Sequence, residues 1–172
     1  PFASDVVLLD LPDLARIKVE FHLPAATGPC TCHLTGQDVL AVSAPGDHVG
    51  EAWEPASTAG YRAFLQTVEV LSPDAQGTIV TFGDSITDGV GSALDGNRRW
   101  PDALAERLQA DPALASIAAV NSGIAGNRLL NDASEPFVGP SMLSRFERDA
   151  LSKPGVHWIL LLSGSNDISA GD

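Results

Sequence analysis

TIVTFGDSITDG, residues 78–89, decides how the rest of the chain is read. A short apolar run of Ile79, Val80 and Phe82 breaks at Gly83 into Asp84-Ser85, and the chain turns toward a helix. In an open α/β sheet, a residue just past the carboxyl end of a strand faces the crevice where ligands bind. A serine there, beside a glycine that lets the backbone turn sharply, is a candidate exposed nucleophile. The stretch is not the G-x-S-x-G elbow, because no glycine stands two residues after Ser85, where the chain has Thr87. Taken alone, Gly-Asp-Ser is also ordinary turn chemistry.

Two later segments repeat the pattern of an apolar strand followed by a glycine-bearing loop. They are SIAAVNSGIAGN at 116–127 and VHWILLLSGSND at 156–167. An acyl-transfer enzyme needs a nucleophile together with hydrogen-bond donors aimed at the oxyanion that develops on the carbonyl. Three strand ends meeting at one crevice supply the Ser85 hydroxyl, the N–H groups of Ser85 and Gly126, and the carboxamide of Asn166. Each loop read singly is no more than a turn or a hinge, Gly123 and Gly126 included. The order of the three, each after an apolar strand, is what points to chemistry.

On these residues the chain resembles the SGNH hydrolases, also called GDSL-type esterases and lipases. GDSIT at 83–87 is similar to their first block, AGN at 125–127 to their second, and GSND at 164–167 to their third. The resemblance implies that Ser85 is the nucleophile and that Gly126 and Asn166 are oxyanion-hole donors. Gly126 matches better than Gly123, because the family's glycine directly precedes an Asn or Asp. NRRWPDALAERL at 97–108 and NSGIAGNRLL at 121–130 are similar to a secreted bacterial subgroup in which a β-rich domain precedes the hydrolase. That subgroup is grouped with arylesterases and xylan-associated esterases. The resemblance therefore implies secretion and a small-molecule or carbohydrate ester as substrate, with no metal and no cofactor.

One departure is plain. The family carries a D-x-x-H block near its carboxyl end, supplying a histidine base and the acid that orients it. Of the four histidines, His22, His33, His48 and His157, none has an aspartate three residues before it. A hydroxyl near its free pKa is a poor nucleophile without a positioned base. The expectation is a fragment that ends before the triad's His and Asp, and that is inactive alone or nearly so. His157 starts a strand at the end opposite the crevice, His22 and His33 lie on alternating strands, and His48 sits in a Pro-Gly-Asp-His turn.

The grammar of the chain changes near residue 74, giving a partial β-rich domain with its linker over 1–74 and the first part of a hydrolase domain over 75–172. Before the change the pattern has period two. Ile17, Val19, Phe21 and Leu23 share one face against Arg16, Lys18, Glu20 and His22, which predicts a half-buried strand over 16–23. Further strands are predicted at 30–34, 39–42 and 64–71, separated by Pro/Gly/Asp punctuation, as in part of a sandwich or jelly roll. Cys30 and Cys32 point to the same side of such a strand and read as small apolar fillers, a disulfide between them straining it. After SPDAQG at 72–77 the grammar is strand–loop–helix. Strands at 79–82, 117–120 and 157–162 alternate with helices at 101–110 and about 141–151. Pro101 opens the first helix, with Ala103, Leu104 and Leu108 as its apolar stripe; Leu143, Phe146 and Ala150 mark the second. Apolar strands between helices predict a parallel, doubly wound, flavodoxin-like sheet, only partly present.

Composition sets the outer limits. At 172 residues and 44% hydrophobic, the chain has enough for a real core. A net charge of −12 disfavours nucleic acid, since no basic stripe exists to neutralise phosphates. No apolar run approaches the length of a membrane span. Asp84, Asp88 and Asp167 read as loop-holding acceptors rather than metal ligands, since no histidine accompanies them. Arg98, Arg99 and Trp100 either line the crevice mouth or cap the helix that follows. A second reading from another class is a non-catalytic carbohydrate-binding or scaffolding protein. Phosphate binding is the weakest reading, for Gly83-Asp84-Ser85 lacks a P-loop's lysine and its aspartate repels phosphate. Acyl and alcohol specificity and oligomeric state are not legible.

Overall fold

A computed structural model describes residues 3–171; Pro1, Phe2 and Asp172 lie outside them. Two short antiparallel ladders come first. Strand β1 (Cys32–His33) pairs with β4 (Arg62–Ala63), and β2 (Leu40–Val42) pairs with β3 (Ser57–Ala59). The expected strands over 30–34 and 39–42 therefore form, in shortened versions. Those over 16–23 and 64–71 do not. Residues 16–23 have the alternation of a strand but no neighbouring ladder among the described residues, and ladder bonds need a second strand. Residues 64–71 fail at their first residue. Phe64 has φ 62°. That left-handed conformation breaks the extended backbone where β4 ends.

The cysteine expectation is also corrected, since Cys30 and Cys32 form a disulfide. Two residues of a flat strand put their Cα atoms about 6.6 Å apart. Here Cys30 precedes β1 and the chain is bent, which closes the Cα separation to 5.6 Å. That lies well inside the range a disulfide spans.

The second half of the chain is built on β5 (Gly77–Gly83). This strand lies between β6 (Ile117–Gly123) and β7 (Val156–Leu162), parallel to both, in the order β6-β5-β7. Numbered from β5, that is 2-1-3, the opening of a doubly wound sheet, and it places a topological switch point between β5 and β7. Central position accounts for the burial of β5, whose Thr81 is at 0% exposure and donates its hydroxyl to the Val120 carbonyl at 3.1 Å. Its Val80 and Phe82 are at 0% and 1% exposure.

Short α1 (Ser85–Asp88) follows β5, and α2 (Trp100–Ala110) leads to β6. At the start of α2 the Arg99 N–H donates to the Asp102 carboxylate at 2.9 Å, with Pro101 in the first turn. That assigns Arg99 to the cap rather than to the crevice mouth. The inner stripe of α2 has Pro101 and Leu108 buried and Leu104 and Ala105 half-buried; Leu104 and Leu108 are as expected, while Ala103, also expected there, is exposed.

A 3₁₀ turn (Pro136–Val138) precedes α3 (Met142–Phe146), which passes directly into a π turn (Glu147–Leu151). Together they occupy the predicted second helix. Their inner face holds Met142, Arg145 and Ala150, whereas Leu143 points outward at 69% exposure. Val80, Phe82, Met142 and Ala150 form the core, with Phe146 packed edge-on to Phe82 at 5.5 Å between ring centroids. Helix α4 (Ser165–Ala170) follows β7, and no helix among the described residues is long and apolar enough to cross a membrane.

Candidate active site

The carboxyl ends of β5, β6 and β7 lie side by side, because Gly83 is in register with both Gly123 and Leu162. Sterics make Gly83 obligatory. A Cβ there would collide with the Leu162 carbonyl oxygen and with the Thr87 side chain. Gly123 meets α1 just as closely, since a Cβ would run into the backbone of Thr87 and Asp88. Gly123 is thus a packing glycine, the contact that lets α1 lie against the end of β6.

Ser85 is the first residue of α1 and is half-buried. Asp84 caps that helix. Its Oδ1 accepts the Ile86 N–H at 3.1 Å, and its Oδ2 accepts the Ser165 hydroxyl, also at 3.1 Å. The expected loop-holding role of Asp84 is therefore met, and it reaches further than its own loop. It ties the turn after β5 to the turn after β7.

Gly126 takes φ 76° and packs on Val138. Such a conformation costs glycine little. Among the described residues no hydrogen bond uses its N–H. Asn127, next to it, is 1% exposed. Its amide donates to the carbonyls of Val138 at 3.0 Å and Pro140 at 2.8 Å. The Asn127 carbonyl accepts a bond from the Asn166 amide at 3.0 Å. Of the three residues singled out by the sequence, Asn166 and the Gly126 loop are thus in direct contact. Ser85 joins them through Asp84 and Ser165. Asp167 Oδ1 accepts the Leu129 N–H at 2.8 Å, a second tie between the loops after β6 and β7.

Asp88 closes the other side. It is 3% exposed, and its Oδ2 accepts the Ala125 N–H at 2.9 Å and the Thr35 hydroxyl. Its Oδ1 lies 2.7 Å from His33 Nε2. The aspartate expected to steady one loop thereby joins α1, the loop after β6 and the β-rich region. Among the described residues no hydrogen bond links a histidine to Ser85. His33 is engaged with Asp88, His48 with Glu51, and His157 with the Gly155 carbonyl at the far end of β7.

Arg145 is not among the residues singled out by the sequence. It is 1% exposed, and its guanidinium lies 4.1 Å from the centre of the Phe82 ring. Nε donates to Asn127 Oδ1 at 2.9 Å, Nη1 to the Ser122 carbonyl at 2.9 Å, and Nη2 to the Gly83 carbonyl at 3.1 Å. Asp149 lies 3.5 Å from Nη1. Burial pushes the Arg145 pKa below its ordinary value, and Asp149 opposes this. An arginine stays charged regardless. For Asp149, burial works to raise the pKa, but Arg148, Arg145 and Lys153 together hold it below the usual carboxylate value. The sequence shows Arg145 only as a charged residue between Met142 and Phe146 with Asp149 four positions on, a pattern that a solvated helix face carries as well.

The model of the GDSL-like Lipase/Acylhydrolase family matches residues 81–172. Two solved structures resemble the chain, both of an acetylxylan esterase from Geobacillus stearothermophilus. One is a catalytic mutant (24% identity, TM-score 0.38) and the other a tryptophan variant (28% identity, TM-score 0.37). In both, the likeness covers 55% of this chain and 42% of that one, so the chain spans less than half the length of these relatives. No curated protein matches the chain.

Proposed function

The chain belongs to the GDSL-like lipase/acylhydrolase family, and from that premise we propose that it is part of a serine esterase working through an acyl-enzyme. In this reading Ser85 Oγ attacks the ester carbonyl. The Ser85 N–H, the Gly126 N–H and the Asn166 amide stabilise the oxyanion, and the alcohol leaves. The base that takes the serine proton, and the acid orienting it, come from a D-x-x-H block outside these 172 residues, which by themselves are inactive or nearly so. The substrates are short acyl esters, such as acetyl groups on sugars or aryl alcohols, met outside the cell. Residues 1–74 are part of a β-rich domain with its linker, and residues 75–172 the first part of the hydrolase domain.

What supports this reading is the cross-linking of the three loops that carry the family's blocks. Asn166 reaches the Asn127 carbonyl at 3.0 Å, and Ser165 reaches Asp84, the neighbour of Ser85, at 3.1 Å. The test is covalent labelling of the full-length gene product with a fluorophosphonate. Modification at Ser85, lost together with ester hydrolysis in Ser85→Ala, is the expected result. Stable hydrolysis in Ser85→Ala would refute the assignment. Retention of glycans by an unlabelled protein would favour the binding-module alternative, for which the groove lined by Phe21, Trp53, Tyr61 and Phe64 in the β-rich region provides a surface.

A further inference from the structure

The site as described has its donors in the first turns of the short helices α1 and α4 and on the loop after β6, all just past the edge of the sheet. Productive geometry in a designed or evolved site tolerates only a fraction of an ångström of error. The strand end bearing the nucleophile is tied to the loop after β6 by the Ile124 N–H, which donates to the Gly83 carbonyl at 3.1 Å, and by Asp88, which accepts the Ala125 N–H at 2.9 Å. Both ties stop one or two residues short of Gly126, and the one that reaches Asn127 comes from a buried side chain.

We propose that Arg145 is the positioning residue of this site, fixing the carboxyl ends of β5 and β6 and the Gly126-Asn127 loop to one planar guanidinium. The inference rests on the serine-esterase reading above. Arg145 touches no substrate in it and acts only through the groups it holds. Each arm goes to a different element. Nη2 binds the Gly83 carbonyl, two residues before Ser85; Nη1 binds the Ser122 carbonyl; Nε binds Asn127 Oδ1. The Asn127 amide is already committed to Val138 and Pro140, so among the described residues Arg145 is the partner of its side-chain oxygen. The same asparagine's carbonyl then receives Asn166. A chain of bonds thus runs from the strand of the nucleophile, through Arg145 and Asn127, to the second and third oxyanion donors.

Arginine suits this task for a geometric reason. Its five donors lie in one plane at fixed angles, so holding any two acceptors fixes the third. A lysine ammonium keeps the charge but has no plane, and its donors rotate freely. The Phe82 ring beneath the guanidinium sets the height of that plane above the sheet.

The test uses the full-length gene product with p-nitrophenyl acetate as substrate and a fluorophosphonate as active-site probe. Arg145→Lys is expected to lower kcat, and the rate of Ser85 phosphonylation, by about thirtyfold or more, with KM within about threefold. Val80→Ala serves as the control for lost stability alone. Assayed well below its unfolding midpoint, it is expected to keep kcat within about threefold of the parent. Should Arg145→Lys fold poorly, Asn127→Ala severs the arm toward the oxyanion loop, together with the amide bonds to Val138 and Pro140, and is expected to show the same fall in kcat. The double variant is expected to be no slower than the worse single, because the two residues act as one unit. Near-parental kcat in Arg145→Lys, an equal loss in Val80→Ala, or additive losses in the double variant would overturn the proposal. Ser85→Ala separates the two levels. If it leaves hydrolysis intact, the esterase reading fails and takes this inference with it; if it abolishes hydrolysis while Arg145→Lys does not, Arg145 alone is wrongly assigned.

Discussion

Residues 16–23 and residues 77–83 are stretches of similar length that both have the pattern of a strand, and they meet opposite fates. In the first, Ile17, Val19, Phe21 and Leu23 alternate as in a half-buried strand, yet each remains 43–44% exposed and none enters a ladder. In the second, Val80 and Phe82 are at 0% and 1%, and every residue is paired on at least one side. Alternation specifies which face a strand buries but not what lies beside it. In an α/β stretch each crossover helix returns the next strand to its neighbour's side, so the strands find one another even where the partners are as distant as Thr78 and Val156. Residues 16–23 have no such crossover and depend on a partner that their alternation does not name.

The sharpest way to break that contrast is a matched pair of truncations. Phe82→Ala is expected to cost about 3–5 kcal/mol of unfolding free energy, the usual loss for a fully buried phenylalanine. Phe21→Ala is expected to cost about 1 kcal/mol or less. Its ring starts from 43% exposure. Urea titration of both variants measures the difference, and equal costs would erase the distinction between the two regions.

Next in size is Asn166→Ala in the full-length protein. Loss of one oxyanion donor is expected to lower kcat by about a hundredfold, equivalent to about 2.7 kcal/mol, with KM little changed. An unchanged kcat would remove Asn166 from the mechanism. The seam between the regions comes third. His33→Ala takes a partner from the Asp88 carboxylate, which is 3% exposed. The variant is expected to lose about 1–2 kcal/mol of stability. A double-mutant cycle with Asp88→Asn checks that the loss belongs to this pair. No coupling would mean that the β-rich region merely rests on the site.

The smallest effect is one of pH. Asp149 has its pKa lowered in the folded state. Its stabilising contribution is therefore present above the unfolded value and disappears as pH falls through the folded one. Asp149→Asn is accordingly expected to be less stable than the parent at neutral pH. The two should converge on the acid side of the ordinary carboxylate range. A gap that persists there in thermal melts would show that the carboxylate acts through something other than its charge.

Against these outcomes, the limits of sequence reading have physical causes. The three parallel strands and the blocks at their ends are legible because apolar runs and glycine turns are local signals. Arg145 is not, since an arginine in a helix reads as solvated until its acceptors are known, and those acceptors come from residues 83, 122 and 127. Of the expected face of the second helix, Phe146 and Ala150 lie inside while Leu143 lies outside, and Met142 and Arg145 complete the inner face. The disulfide escapes for a related reason: the expectation rests on extended geometry at Cys30, which lies outside β1.

Strand β7 leaves a practical consequence. Trp158, Leu160, Leu161 and Leu162 are 43–58% exposed on a strand whose one ladder partner among the described residues is β5. An open edge with oily side chains on both faces invites other chains to dock along it. Preparations of these 172 residues alone should scatter light and demand low concentrations or a solubility tag.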